Sequence, residues 1–277
     1  MKSSKTKTTL WVVDQGQWRS RIDQLATEEP LEIRLVDPQR PVAITMRTPG
    51  ADFELAAGFL YSEGIVHHRH DIQRLSYCVD PTMDGEQRHN IVNVALSLGL
   101  FPDLQPLERH FYTTSACGVC GKASLEALQL QGYAALVDTL QVDASVIYTL
   151  SDRLRSQQAV FRSTGGLHAA ALFDCEGNLL AVKEDVGRHN ALDKLIGSAF
   201  LSDELPWRDR IVMVSGRLSF ELVQKCLAAG APMLCAVSAP SSLAVALAQA
   251  FNMTLIGFLR GDRFNIYSGK HRIQALK

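Results

Sequence analysis

Cysteine is scarce in this chain, with six in 277 residues, too few and too scattered for a disulfide-stapled scaffold. Cys226 and Cys235 sit in apolar runs, where free thiols pack as small hydrophobes, and only Cys117 and Cys120 form a spaced pair. Long apolar runs are missing as well. A spanning helix needs about 18–20 consecutive apolar residues, and the best stretch, Leu243 to Met253, is interrupted by Gln249 and Asn252. No membrane association is expected. Charge of one sign is also lacking: Lys+Arg 28 against Asp+Glu 29 gives a net charge of −1. That is unsuited to neutralising a run of phosphates, so a nucleic-acid partner is not expected. The start, MKSSKTKTTL, is basic, but Trp11-Val12-Val13 runs straight into Asp14. It has no apolar core for a secretory signal and reads as a floppy polar tail.

What remains is an ordinary globular composition, 47% hydrophobic and 21% charged, long enough for two domains or one elaborated one. The first part reads as irregular and strand-rich. Val42–Met46 is β-prone, and Asn90–Leu96 alternates with Val92, Val94 and Leu96 on one face. Asp52 is placed to cap a helix over Phe53–Glu63 that stops at Gly64, and Cys78–Asn90 reads as a hairpin loop. Helices are expected from Ala123 and over Asp143–Gln158.

Beyond Leu167 the pattern becomes regular. Ala169–Phe173 and Leu179–Val182 form a hairpin and a helix follows over Asn190–Phe200. Then come strand Ile211–Val214, helix Phe220–Ala229, strand Met233–Val237, helix Leu243–Phe251, strand Thr254–Phe258 and a short strand Phe264–Tyr267. Strands alternating with helices predict parallel strands joined by right-handed crossovers.

Ligands of such sheets bind beyond the carboxyl ends of the strands. Three of those ends are unusual here: Ser215-Gly216-Arg217-Leu218-Ser219, Ser238-Ala239-Pro240-Ser241-Ser242 and Leu259-Arg260-Gly261-Asp262-Arg263. The first two lead into helix N-termini, which favour anions. Together the three loops suit a phosphate-bearing ligand, with Asp262 able to accept from a base such as guanine. The plainer account is that the serines cap helices and the arginines form surface pairs.

Cys117-Gly118-Val119-Cys120 lies in a small, polar, glycine-interrupted stretch, Thr113 to Lys122, expected to be a mobile loop. Half of a zinc site lacks its second pair of ligands, and His67, His68 and His70 are adjacent rather than ligand-spaced. A thioredoxin-like dithiol belongs after a strand early in a compact fold. A nucleophilic thiolate that moves sulfur fits the chemistry, because helix N-termini and cations such as Lys122 lower a thiol pKa. Asp185-Val186-Gly187-Arg188-His189-Asn190 reads either as a capped helix start with an Asp–Arg pair or as a ligand cluster. His168 reads as a hydrogen-bonded structural residue.

These residues resemble the formate dehydrogenase accessory sulfurtransferase family, FdhD/NarQ. The likeness rests on Gly58-Phe59-Leu60 with Ser62-Glu63-Gly64-Ile65, on Cys117-Gly118-Val119-Cys120-Gly121, and on Thr164 through Ala170. It continues through Glu184-Asp185-Val186-Gly187-Arg188-His189-Asn190-Ala191-Leu192-Asp193-Lys194, Ala236-Val237-Ser238-Ala239 and Gly257-Phe258. The resemblance implies a cytoplasmic homodimer that takes sulfur from a cysteine desulfurase and passes it to the molybdenum bis-guanine-dinucleotide cofactor required by formate dehydrogenase. Cys117 would carry the persulfide and Cys120 assist. The cofactor would bind at Phe258, Leu259, Arg260, Gly261, Asp262 and Arg263, with Ser215, Arg217 and Ser238 at the neighbouring strand ends, and no permanent metal is expected. The 258–263 stretch lacks the lysine and proline of other members, but Arg260 keeps the positive charge.

The implied fold class is α/β. A three-layer α/β/α, cytidine-deaminase-like larger domain with a mixed sheet (123–277) follows a smaller strand-rich α+β region (1–112) and the CxxC loop (113–122). Zinc deamination itself is not expected. His168-Ala169-Ala170 has alanine where a deaminase places its glutamate, and no Pro-Cys-x-x-Cys follows. A non-catalytic cofactor chaperone and a thiol–disulfide oxidoreductase are the alternative functions.

Overall fold

The computed structural model describes residues 3–99, 134–137 and 140–274. The Cys117/Cys120 pair and the helix expected from Ala123 lie outside the described residues. The predicted polar tail is instead a hairpin: β1 (Lys5–Asp14) pairs antiparallel with β2 (Gln17–Ala26) through all ten positions of each strand. The two-residue turn has φ 47° at Gln15 and 80° at Gly16, positive at both positions as a primed hairpin turn requires. Thr8, Leu10 and Val12 are half-buried, whereas Trp11 and Trp18 are 66% and 70% exposed. The basic start concealed a β-prone run, Thr8 to Val13.

A four-stranded sheet follows, ordered β4-β3-β6-β5, from β3 (Glu29–Val36), β4 (Gln39–Arg47), β5 (Ile72–Tyr77) and β6 (Ile91–Leu96). The segment joining β5 and β6 holds a short helix, α2 (Gly85–Arg88), capped by Asp84. Leu31 and Ile33 of β3 and Val92 and Val94 of β6 are buried against Leu55, Ala56 and Leu60 of α1 (Asp52–Ser62). Asp52 does not cap α1 as predicted. Ala51 occupies that position at φ 55°, and the Asp52 carboxylate instead accepts from Arg47 Nε and Nη2, each at 3.0 Å, and from the Tyr77 hydroxyl at 3.1 Å. A nearby buried guanidinium holds a carboxylate more strongly than a backbone N–H does.

The larger sheet is mixed, with order β13-β12-β11-β10-β8-β9. Its strands are β8 (His168–Phe173), β9 (Leu179–Asp185), β10 (Ile211–Val214), β11 (Met233–Ala236), β12 (Thr254–Arg260) and β13 (Arg263–Ser268). As predicted, β10, β11 and β12 run parallel and β8 and β9 form an antiparallel hairpin. Two short strands, β7 (Val142–Asp143) and β14 (Ile273–Gln274), pair separately.

Alternation along the strands gives this sheet two apolar faces. Ala170, Leu172, Val212, Val214, Leu234 and Leu255 meet α5 (Arg188–Leu201), α6 (Phe220–Ala228) and α7 (Ser242–Ala250). Ala169, Ala171, Phe173, Met213 and Cys235 meet Ile147, Leu150 and Leu154 of α3 (Ala144–Gln157). The helix expected over Asp143–Gln158 therefore forms with Asp143 as its N-cap, accepting from Ser145 N at 2.8 Å. It breaks at Gln158, and α4 (Ala159–Thr164) follows and ends at Gly165.

Helices α1 and α5 touch backbone to backbone. A Cβ at Gly58 would collide with the carbonyl of Asp193, and one at Gly197 with the carbonyl of Glu54. Both residues are glycine because only a missing side chain admits this approach. Gly197→Ala should therefore destabilise the fold by roughly 1–3 kcal/mol, read as a lower urea midpoint with unchanged m-value.

Candidate functional site

The carboxyl ends of β10, β11 and β12 open into a cavity of about 560 Å³, within the range of small-ligand sites. Its floor is Ser215, Val237, Leu259, Arg260 and Gly261, and its wall is Ser151, Asp152, Leu154, Arg155, Gln158 and Phe161 from α3 and α4. The strand-end prediction thus places Ser215, Leu259, Arg260 and Gly261 together. The wall was missed: only the polar residues interrupting the apolar stripe of α3 signalled it.

The 258–263 stretch is a hairpin tip rather than a free loop, because β12 continues to Arg260 and pairs Arg260 with Arg263 across a two-residue turn. The pairing is irregular between Gly257 and Arg260, and Phe258 there takes φ 53°. Leu259 is buried and Phe258 is 39% exposed. Phe258, Arg260, Arg263 and Asn265 line a second concavity of about 290 Å³, so Arg260 is shared between the two hollows. Arg217, Ser238 and Asp262 line neither one. Arg217 and Asp262 are exposed, and the Ser238 carbonyl accepts from Phe258 N at 3.2 Å. Of the loop serines, Ser241 caps α7 by accepting from Ala244 N at 3.2 Å, and Ser215 Oγ accepts from Ala169 N at 2.8 Å. Only Ser241 serves the capping account; Ser215 instead binds a backbone N–H of strand β8.

The 184–194 run proves mainly structural. Asp185 pairs with Lys194, at 2.7 Å, rather than with Arg188. Asp185 also accepts from Thr48 N (3.1 Å), Gly187 N (2.8 Å) and Asn190 Nδ2 (3.1 Å), while Lys194 donates to Thr48 O (2.8 Å). Burial selects lysine here, since Asp185 is 0% and Lys194 2% exposed, and a charge removed from water needs its counter-charge and further hydrogen bonds. Glu184 accepts from Val160 N (3.0 Å) and Phe161 N (2.8 Å), which ties the start of α4 to β9. Nearby, Asp193, Lys225, Glu63 and Ser62 form a second network, with Lys225 Nζ 2.9 Å from Asp193 Oδ1. Burial opposes the Lys225 charge, but Asp193 and Glu63 outweigh it and raise its pKa.

Arg188 projects instead beside His168. A Cβ at Gly216 would lie 3.4 Å from His168 Nδ1 and 3.5 Å from Arg188 Cδ. His189 Nε2 stands 3.2 Å from Ser219 Oγ and 3.4 Å from Glu221 Oε2, and this bond to His189 draws the Glu221 carboxyl down to about 2. Among the described residues no group of His, Cys, Asp or Glu is arranged to hold a metal ion. His67 and His68 instead give their backbone N–H groups to Asp71. Burial pushes the Cys226 and Cys235 thiols up, out of the reactive range. No helix among the described residues is long and apolar enough to cross a membrane.

The model of the FdhD/NarQ family matches residues 26–274. The chain belongs to that family. It is 53% identical over 261 residues to the "Sulfur carrier protein FdhD" of Streptomyces avermitilis, covering 93% of this chain and 92% of the relative. The protein of the same name from Mycobacterium tuberculosis is 53% identical over 258 residues, with 92% and 93% covered. The one from Saccharolobus solfataricus is 43% identical over 252 residues, with 91% of each covered. A crystal structure from Desulfotalea psychrophila, described as a candidate formate dehydrogenase accessory protein, superposes with a TM-score of 0.75 over 98% of this chain and 100% of that one. It is 24% identical, so it speaks for the fold that FdhD/NarQ members share.

Burial lowers the His168 pKa from 6.5, helped by Arg188 and His189 and opposed by Asp185. The folded value is then below the unfolded one. The stabilisation is complete above pH 6.5 and is lost as pH falls through the folded pKa. The His168 ring should titrate below the exposed histidines by NMR, and His168→Gln should lessen the loss of stability on acidification below that pH.

Proposed function

We propose that the protein is a sulfur carrier for formate dehydrogenase maturation. The cavity at the ends of β10, β11 and β12 supports this reading most directly. It combines an arginine from the hairpin tip with an arginine from α3, as a phosphate-bearing ligand needs, and includes part of the stretch to which the family resemblance assigns the molybdenum bis-guanine-dinucleotide. In this reading that molecule is cargo, and its guanine nucleotide arms lie in the two hollows that share Arg260. The protein acts in the cytoplasm as a homodimer with a cysteine desulfurase as donor. Its 123–277 region forms a cytidine-deaminase-like α/β/α domain beside the smaller 1–112 region.

The sulfur chemistry belongs to Cys117. Its thiolate attacks the outer sulfur of the desulfurase persulfide, so a new S–S bond forms on Cys117 as the old one breaks and the desulfurase leaves as a thiolate. The outer sulfur is then delivered as sulfide. Attack by the Cys120 thiolate on the Cys117 sulfur releases it and leaves a Cys117–Cys120 disulfide, which a dithiol reductant restores. Electrons balance, because the two cysteines are oxidised as the outer sulfur is reduced.

Cys117→Ala should abolish the one-sulfur adduct seen by mass spectrometry after incubation with desulfurase and cysteine, and with it formate dehydrogenase activation. Normal activation by this variant would leave a chaperone that carries cargo without a thiol. Arg260→Ala combined with Arg263→Ala should weaken GDP binding about ten- to a hundredfold, as loss of charge-assisted hydrogen bonds implies. The loss should be greatest at low salt, and calorimetry at two ionic strengths reads it.

A further inference from the structure

The hairpin of β1 and β2 carries an apolar face that nothing among the described residues covers. Directly paired residues of an antiparallel ladder share a face, so Thr9 and Ile22, Trp11 and Ser20, and Val13 and Trp18 lie together. None of the six is charged. All are exposed, and the four large ones range from 54% at Val13 to 72% at Ile22. The charges of this half of the hairpin sit on the opposite face, where Arg19 and Arg21 stand across from Val12 and Leu10. They pair there with Asp14 and Asp23 at 3.2 and 3.6 Å. The base of the hairpin is anchored: Thr27 N donates to Ser4 O at 3.0 Å, and a Cβ at Gly166 would lie 3.7 Å from Ala26 Cβ. From that base the two strands run about 33 Å, and Gln17 to Ile22 of β2 are exposed without exception.

A two-stranded hairpin is marginally stable by itself in water, and an exposed apolar patch invites aggregation unless it is an interaction site. A transient partner would leave this face bare most of the time, whereas a second copy of the chain is always present at the hairpin's own concentration. Permanent interfaces are more apolar than transient ones, with charged residues depleted from their centres, and the six-residue face has that composition. Having no charge, it also meets its own copy without like-charge conflict, as a two-fold interface of identical patches requires. Trp11, Val13, Trp18 and Ile22 together expose roughly 500 Å² of side chain. Two such faces closing on each other remove about 1,000 Å² from water, the size at which an interface becomes specific. We infer that this face is the interface between two copies of the chain. The hairpin of one copy packs face to face on the hairpin of the other, with the central Trp11–Ser20 row at the two-fold axis. The inference rests on the homodimer reading above and names the surface that the homodimer uses.

Light scattering on the full-length protein during gel filtration tests this with two variants, Ser20→Glu and Ser20→Lys. Position 20 is exposed in the single chain, so neither substitution disturbs the fold of a subunit. The wild-type protein should run at twice 30.5 kDa. Each variant should dissociate at least tenfold more readily, because two like charges meet at the centre of the interface. An equimolar mixture of the two variants should return to the dimer, since opposite charges then face each other. Acrylamide quenching of fluorescence reads the face directly. Trp11 and Trp18 should be shielded in the wild type and accessible in either variant, while Trp207, the remaining tryptophan and 2% exposed, stays unchanged. A variant as dimeric as the wild type, a mixture that stays monomeric, or open Trp11 and Trp18 in a wild-type dimer would overturn the inference. Each of these results leaves the homodimer reading standing on another surface. A wild-type protein that is monomeric at micromolar concentration removes both.

Discussion

A buried ion pair between Asp185 and Lys194 holds together the parts of this molecule that must act together. Isolated, each charge would be strongly disfavoured in the interior. Here the carboxylate also receives three N–H groups, one of them from Thr48 after the smaller sheet, and the ammonium returns a hydrogen bond to the Thr48 carbonyl. Both charges are thereby satisfied, and the chain after β4 is fixed against the larger sheet. The glycines of α1 and α5 let the helices close to backbone contact beside it, and the Asp193–Lys225–Glu63 network extends the seam. Removing one partner of such a pair leaves an uncompensated buried charge, which is strongly destabilising.

The cavity inherits its shape from this arrangement. Its floor belongs to the central parallel strands, whose ends face one edge of the sheet for topological reasons alone. Its wall depends on the bend between α3 and α4, and the start of α4 is tied to β9 by Glu184. An acidic side chain at a helix start is favourable both to the free N–H groups and to the helix dipole. The same carboxylate thereby sets where Phe161 and Gln158 face the strand ends.

Much of the larger sheet could be read from the sequence because its buried strands and amphipathic helices have distinct periods and are separated by glycine and serine turns. The strand-end location of the cavity followed from that topology, and Ser215 and Arg260 were named with it. Other features depend on long-range partners that no local pattern reveals. Asp52 looked like a cap until Arg47 and Tyr77 reached it, and Asp185 looked like a partner for Arg188 until Lys194, one helical stretch further on, was buried against it. Gln158 carried the faintest sign of all, a polar residue at the end of an apolar stripe. The N-terminal hairpin was hidden because its turn, Gln15-Gly16, is not one of the common asparagine- or aspartate-glycine pairs.

Glu184 and Asp185 are consecutive residues of one strand, and consecutive side chains of a strand leave by opposite faces. The last two residues of β9 therefore work like a rivet with a head on each side of a plate. One head grips the helix bend above the cavity and the other grips the loop from the smaller sheet. β9 is also the outermost strand of its sheet, where ends ordinarily fray. Loosening at this rim would shift the cavity wall and the seam between the sheets in a single motion, so the two cannot drift independently.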